Sequence, residues 1–101
     1  MKLEMVVVDN QVVVKLCGSM YEGDAKTMKE ALCRHVEKGQ TSFLIYFSEV
    51  DYIDSSGLGA LVAIHKWSSE AGGAGVVIKG PTGIVKDMFV LTRLDRVFTI
   101  E

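Results

Sequence analysis

Two valine-rich runs, Leu3–Val8 and Gln11–Cys17, are separated by the pair Asp9-Asn10. β-Branched residues favour extended chain, and Asp and Asn both tolerate a left-handed backbone, so the pattern predicts a β-hairpin. Gly18 is expected to end the second strand. A polar segment, Ser19–Gly23, then leads to Asp24, whose short carboxylate suits the N-cap of a helix starting near Ala25. Over the next residues Ala25, Met28, Leu32 and then His35 or Val36 keep a three-and-four spacing. Lys26, Lys29, Glu30, Arg34 and Glu37 fall on the other side. The spacing predicts a helix over 24–38, with one face on a sheet and one in water, stopped by Gly39.

Thr41–Phe47 is nearly continuous in apolar residues and reads as a central strand covered on both faces. Ser48-Glu49-Val50-Asp51 is expected to turn the chain into a second helix over Ser56–Glu70, ended by Gly72-Gly73. Val76-Val77-Ile78 centres a short buried strand over Gly75–Lys79. Pro81 and Thr82 punctuate the chain after that strand, with Thr82 as the candidate cap of a third helix, Gly83–Leu91. Arg96–Ile100 supplies a last strand. The order ββαβαβαβ implies an α/β domain spanning 1–101. Its mixed sheet, an N-terminal hairpin plus parallel strands, is packed with about three helices.

Composition narrows the function more than the fold. The chain has 101 residues, 49% of them hydrophobic and 24% charged, the balance of one ordinary globular domain. With 11 basic and 13 acidic residues spread along the chain the net charge is −2, which offers neither nucleic acid nor a membrane surface a basic patch. No apolar run approaches the ~20 residues of a membrane span, and the first residues lack a signal-peptide block, so a cytoplasmic location is expected. Cys17 and Cys33 stand outside any CxxC or paired-histidine context and fall on apolar phases, which predicts buried free thiols and no metal.

The candidate chemistry gathers in Asp51-Tyr52-Ile53-Asp54-Ser55-Ser56-Gly57-Leu58-Gly59. Asp54, Ser55 and Ser56 can each accept from the free N–H groups of a helix's first turn, and the residues from Gly57 to Ile64 are all apolar or small. Two hydroxyls at the positive end of a helix, beside a carboxylate, suit the receipt or reading of an anion. From local chemistry alone, simple helix capping is the commoner role for such serines. A hydrolase needs a base, and the only histidines, His35 and His65, lie on helices away from any G-x-S-x-G pattern. Gly72-Gly73-Ala74-Gly75 lacks the Lys-Ser/Thr of a phosphate-binding loop and precedes a strand, so it reads as a helix stop and turn, with no cofactor implied.

Asp54-Ser55-Ser56-Gly57-Leu58-Gly59 after a strand resembles the signature of STAS domains, in particular the bacterial anti-sigma factor antagonists. Gly18-Ser19-Met20 before the first helix and Val85-Lys86-Asp87-Met88-Phe89 before the last strand agree with that family. The resemblance implies phosphorylation at Ser55, the serine directly after the Asp. It implies a serine-kinase anti-sigma factor as binding partner and a serine phosphatase that resets the switch, in a protein that is not an enzyme. Asp54, Ser56, Gly57, Leu58, Met20 and Tyr21 are the expected partner-binding residues. Met20 and Tyr21 are placed in the loop before the first helix, and Leu58 belongs to a helix apolar almost all round near its start. The family's frequent acidic residue in that loop is replaced here by Tyr21, and a common later Gly by Arg93. The alternatives are a STAS scaffold subunit of a stress-signalling or transport complex and, less favoured, a small serine hydrolase.

Overall fold

In the computed structural model of the chain, which describes residues 1–101, Asp9 and Asn10 both take a left-handed backbone, with φ of 50° and 68°. They turn β1 (Lys2–Val8) back onto β2 (Gln11–Met20) as an antiparallel hairpin with Val8 opposite Gln11. Three alternations of helix and strand come next: α1 (Glu22–Glu37), β3 (Ser42–Ile53), α2 (Ser55–Glu70), β4 (Gly75–Lys79), α3 (Gly83–Leu91) and β5 (Thr99–Ile100). The five strands lie in the order β1-β2-β3-β4-β5, and every pairing after the hairpin is parallel. This is the mixed α/β sheet expected from the order of elements.

Register explains the core. Val12 pairs with Phe43 and Phe43 with Val76; Val14 pairs with Ile45 and Ile45 with Ile78. All six side chains are buried on one face, where they meet Met28 and Leu32 of α1, Leu61 and Ile64 of α2, and Phe89 of α3. Phe89 stacks edge-on against Phe47 with ring centroids 5.6 Å apart. The helices therefore share that face, and the other carries Val13, Leu44 and Val77, each only half-buried.

Several expectations need correction. Gly18 does not end β2. It takes φ of 100° inside the strand, where the pairing with β3 slips, and the strand continues to Met20. β3 likewise runs through Ser48–Asp51 to Ile53, because Glu49, Val50, Tyr52 and Ile53 each keep a partner on β2. Asp24 does not cap α1. Tyr21 holds the cap position, and the Asp24 carboxylate, three residues on, accepts the Tyr21 N–H at 3.1 Å. Cys17 is exposed rather than buried, because Val12, Val14 and Leu16 hold the core phase of β2 and put Cys17 on the opposite face; Cys33 is half-buried, and both thiols are free. The last strand is only Thr99–Ile100, since Leu94–Arg96 forms a 3-10 turn.

Candidate functional site

β2 and β3 run side by side to the same end of the sheet, where Met20 pairs with Ile53. The next residue of each is a helix cap: Tyr21 for α1 and Asp54 for α2. The Asp54 N–H donates to the Met20 carbonyl at 3.3 Å, so the sheet ladder passes directly into the motif. Both helices thus present their N-termini at the carboxyl end of parallel strands, where unpaired N–H groups and the positive dipole ends gather.

Asp54 alone makes the cap of α2. Its extended backbone (φ −94°) aims a carboxylate oxygen at the Gly57 N–H, which donates to it at 3.0 Å. Ser55 is the first residue of the helix and is exposed. Its hydroxyl is not spent on capping, contrary to the commoner role of such serines. Ser56 is half-buried and lines a surface groove between α1 and α2 with Glu22, Lys26, Lys29 and Gly59.

The remaining expected contact residues divide. Tyr21 is 56% exposed and projects beside the motif. Met20 is not in a loop: it ends β2 with its side chain fully buried. Leu58, only 6% exposed, and Gly57 are also buried, because the motif's apolar positions turn onto β2 and β3. Those three residues support the site from within, and the surface beside Ser55 is made by Asp54, Ser56 and Tyr21. Tyr52 completes it. Its exposed ring lies 5.6 Å from that of Tyr21, centroid to centroid. Sequence reasoning misses Tyr52 because Ser48–Asp51 reads as a turn. Apolar Val50 and Ile53 flanking an aromatic Tyr52 are the available signal for strand.

Neither histidine reaches Ser55. His65 sits ten residues along the same helix, about 15 Å of axial rise away, where its Nδ1 accepts the Val76 N–H at 3.1 Å and its ring packs edge-on against Phe98. His35 lies in the last turn of α1, bonded to Gln40. No group of three or more His, Cys, Asp or Glu side chains is arranged to hold a metal ion.

The family model of the STAS domain matches residues 2–101. This chain belongs to the STAS domain family. Among solved structures, this STAS domain is similar to a candidate anti-sigma factor antagonist of Thermotoga maritima, at 28% identity and a TM-score of 0.84, covering 97% of this chain and 84% of that one. An anti-sigma factor antagonist from Mycobacterium paratuberculosis aligns at 22% identity and a TM-score of 0.83, covering 98% of this chain and 83% of that one. The Bacillus cell fate determinant SpoIIAA, solved in its phosphorylated form, aligns at 17% identity and a TM-score of 0.80, covering 99% and 91%. The last two are likenesses of fold. No helix of the STAS domain is long and apolar enough to cross a membrane.

Proposed function

We propose that this STAS domain is an anti-sigma factor antagonist of the cytoplasm. Its unphosphorylated form binds a serine-kinase anti-sigma factor and so releases the sigma factor, and phosphorylation of Ser55 ends the interaction. The domain is in this reading a substrate and binding module, not an enzyme. The observation that carries it is the Ser55 hydroxyl: exposed, first in α2, and left free because Asp54 supplies the cap.

In the kinase step the Ser55 oxygen attacks the γ-phosphorus of ATP, ADP leaves, and the hydroxyl proton passes to a base on the kinase. A phosphatase restores the hydroxyl with water and releases inorganic phosphate. Phosphoserine adds about −1.5 to −2 charges and three acceptor oxygens. At the start of α2 the free N–H groups and the helix dipole accommodate that charge, so the fold survives modification. A partner seated over Tyr21, Asp54 and Ser56 would meet new bulk and a dianion beside an existing carboxylate. The interface breaks while the domain stays folded.

Phosphopeptide mass spectrometry after incubation with the cognate kinase and ATP tests this directly. Phosphate on Ser55 is expected. Phosphate on Ser56 alone moves the switch by one residue. No phosphate on either, with the true partner bound, leaves the STAS scaffold subunit as the better reading.

A further inference from the structure

β1 ends the sheet and pairs with β2 only, so one of its edges is unpaired. Because the hairpin closes on the pair Val8–Gln11 through a two-residue turn, every second residue back along β1 bonds to β2. Leu3, Met5 and Val7 are left with N–H and C=O groups directed outward. The same stretch exposes apolar side chains on both faces of the strand. Val6 is 58% and Val8 50% exposed, and Met5 and Val7 are exposed on the helix-bearing side. An unpaired edge is commonly guarded by Pro, a bulge or a charge in its middle. Here the charges, Lys2 and Glu4, stand at one end, and Met5–Val8 has none of these guards.

We propose that β1 pairs antiparallel with β1 of a second copy of this chain, about a two-fold axis through Val6. This inference stands apart from the proposed function. An added strand would satisfy the outward backbone groups and at the same time cover apolar side chains above and below them. The Val6-centred register is self-complementary. Met5 of each copy meets Val7 of the other through their outward backbone groups, and Val6 meets Val6 with Cα atoms about 4.5 Å apart as a non-hydrogen-bonded pair. Glu4 falls opposite Val8, at the margin. Lys2 falls beside the hairpin turn, where the exposed Asp9 of the other copy supplies the opposite charge. Centring on Glu4 would instead oppose two carboxylates, and centring on Met5 would set Lys2 and Glu4 against Val8 and Val6.

The pairing also joins the half-buried row Val13, Leu44 and Val77, which Val6 extends across the open face, into one stripe over two sheets. Ser55 lies at the opposite end of the sheet from the Asp9-Asn10 turn, since β3 starts beside Gln11 and ends beside Met20. Both copies keep the switch surface free.

Sedimentation velocity across a concentration series tests the proposal on the full chain. The unaltered protein is expected to double its mass as concentration rises. Val6→Lys, which sets two ammonium groups against each other on the axis, is expected to stay monomeric with an unchanged circular dichroism spectrum. Leu91→Lys, at a 78% exposed position on α3, is expected to dimerise normally. In a Cys17→Ser background, Val6→Cys is expected to cross-link on mild oxidation and Val8→Cys is not, because the axis separates the two Val8 positions by about 14 Å along the strand. A monomer at every concentration overturns the proposal, as does a dimer that survives Val6→Lys. Protection of the Met5 and Val7 amides only when another protein is added would assign the edge to a foreign strand and overturn it too.

Discussion

Gly57 packs with no side chain against Met20: a Cβ on Gly57 would stand 2.7 Å from the Met20 sulfur and 2.6 Å from Cγ1 of Ile53. The first turn of α2 is therefore seated directly on the ends of β2 and β3, with only a glycine's thickness between them. That contact sets the height at which Ser55 stands above the sheet. Gly57→Ala is expected to cost about 1–3 kcal/mol of stability through overpacking, since Ile53 meets the added methyl near its own backbone. Urea unfolding of the variant checks this. A stable Gly57→Ala domain would show that α2 can lift without penalty.

The proposed switch at Ser55 makes a separable prediction. Ser55→Ala should leave stability within about 0.5 kcal/mol, because the helix cap is the Asp54 carboxylate and not the serine. It should bind the kinase and refuse phosphate. Ser55→Asp should bind more weakly, though less so than the phosphorylated domain, as one carboxylate carries less charge and fewer acceptors than a phosphate. Ser56→Ala, the control, should still be phosphorylated at Ser55. Titration calorimetry with the cognate kinase, beside phosphopeptide mapping, reads all three.

Tyr21 and Tyr52 are expected to act as paired contacts for that kinase. Tyr21→Ala removes an exposed ring and should weaken binding by roughly 1–2 kcal/mol if the ring is an interface anchor, with little change in thermal midpoint. Unaltered affinity would place the partner elsewhere on the domain. Tyr52→Ala in the same assay tests whether the two rings form one contact: their effects should not add.

Ser68 is the one buried polar side chain, and it ties α2 to the residue entering β3 and to β4. Its hydroxyl donates to the Thr41 carbonyl and accepts the Gly75 N–H at 2.9 Å. Ser68→Ala leaves that N–H without its acceptor and should cost about 1–3 kcal/mol. Denaturant unfolding measures it, and amide exchange at Gly75 should rise with it.

Arg93 occupies the left-handed region, with φ of 62°, where the chain leaves α3 for the 3-10 turn. The Gly common in the family at this point would take that conformation without steric conflict. Arg93→Gly is accordingly expected to stabilise the domain by up to about 1 kcal/mol, the left-handed cost for a residue with a Cβ set against glycine's looser unfolded chain. A rise in thermal midpoint is the readout.

Local chemistry was enough to place the hairpin turn at Asp9-Asn10 and the spans of β4 and α3. Each depends on residues adjacent in the chain: side chains that tolerate positive φ, a valine run bounded by Gly and Pro. Apart from the Asp24 cap and the 3-10 turn at Leu94–Arg96, which are local, the errors fall where partners are distant in sequence. Ser48–Asp51 is polar enough to read as a turn, and only pairing with β2 holds it extended. Gly18 is a strand breaker by propensity, yet the pairing only slips at it and the strand continues because Ser19 and Met20 still find Tyr52 and Ile53. Cys17 looks apolar in phase until the register puts Leu16 in the core. The sequence marks Asp54, Ser55 and Ser56 together as candidate helix-end acceptors, but which side chain caps and which stays free is a matter of direction in space. The Met20–Asp54 hydrogen bond, the glycine seat and the Tyr21–Tyr52 contact come from the parallel alignment of β2 with β3, which no local pattern encodes.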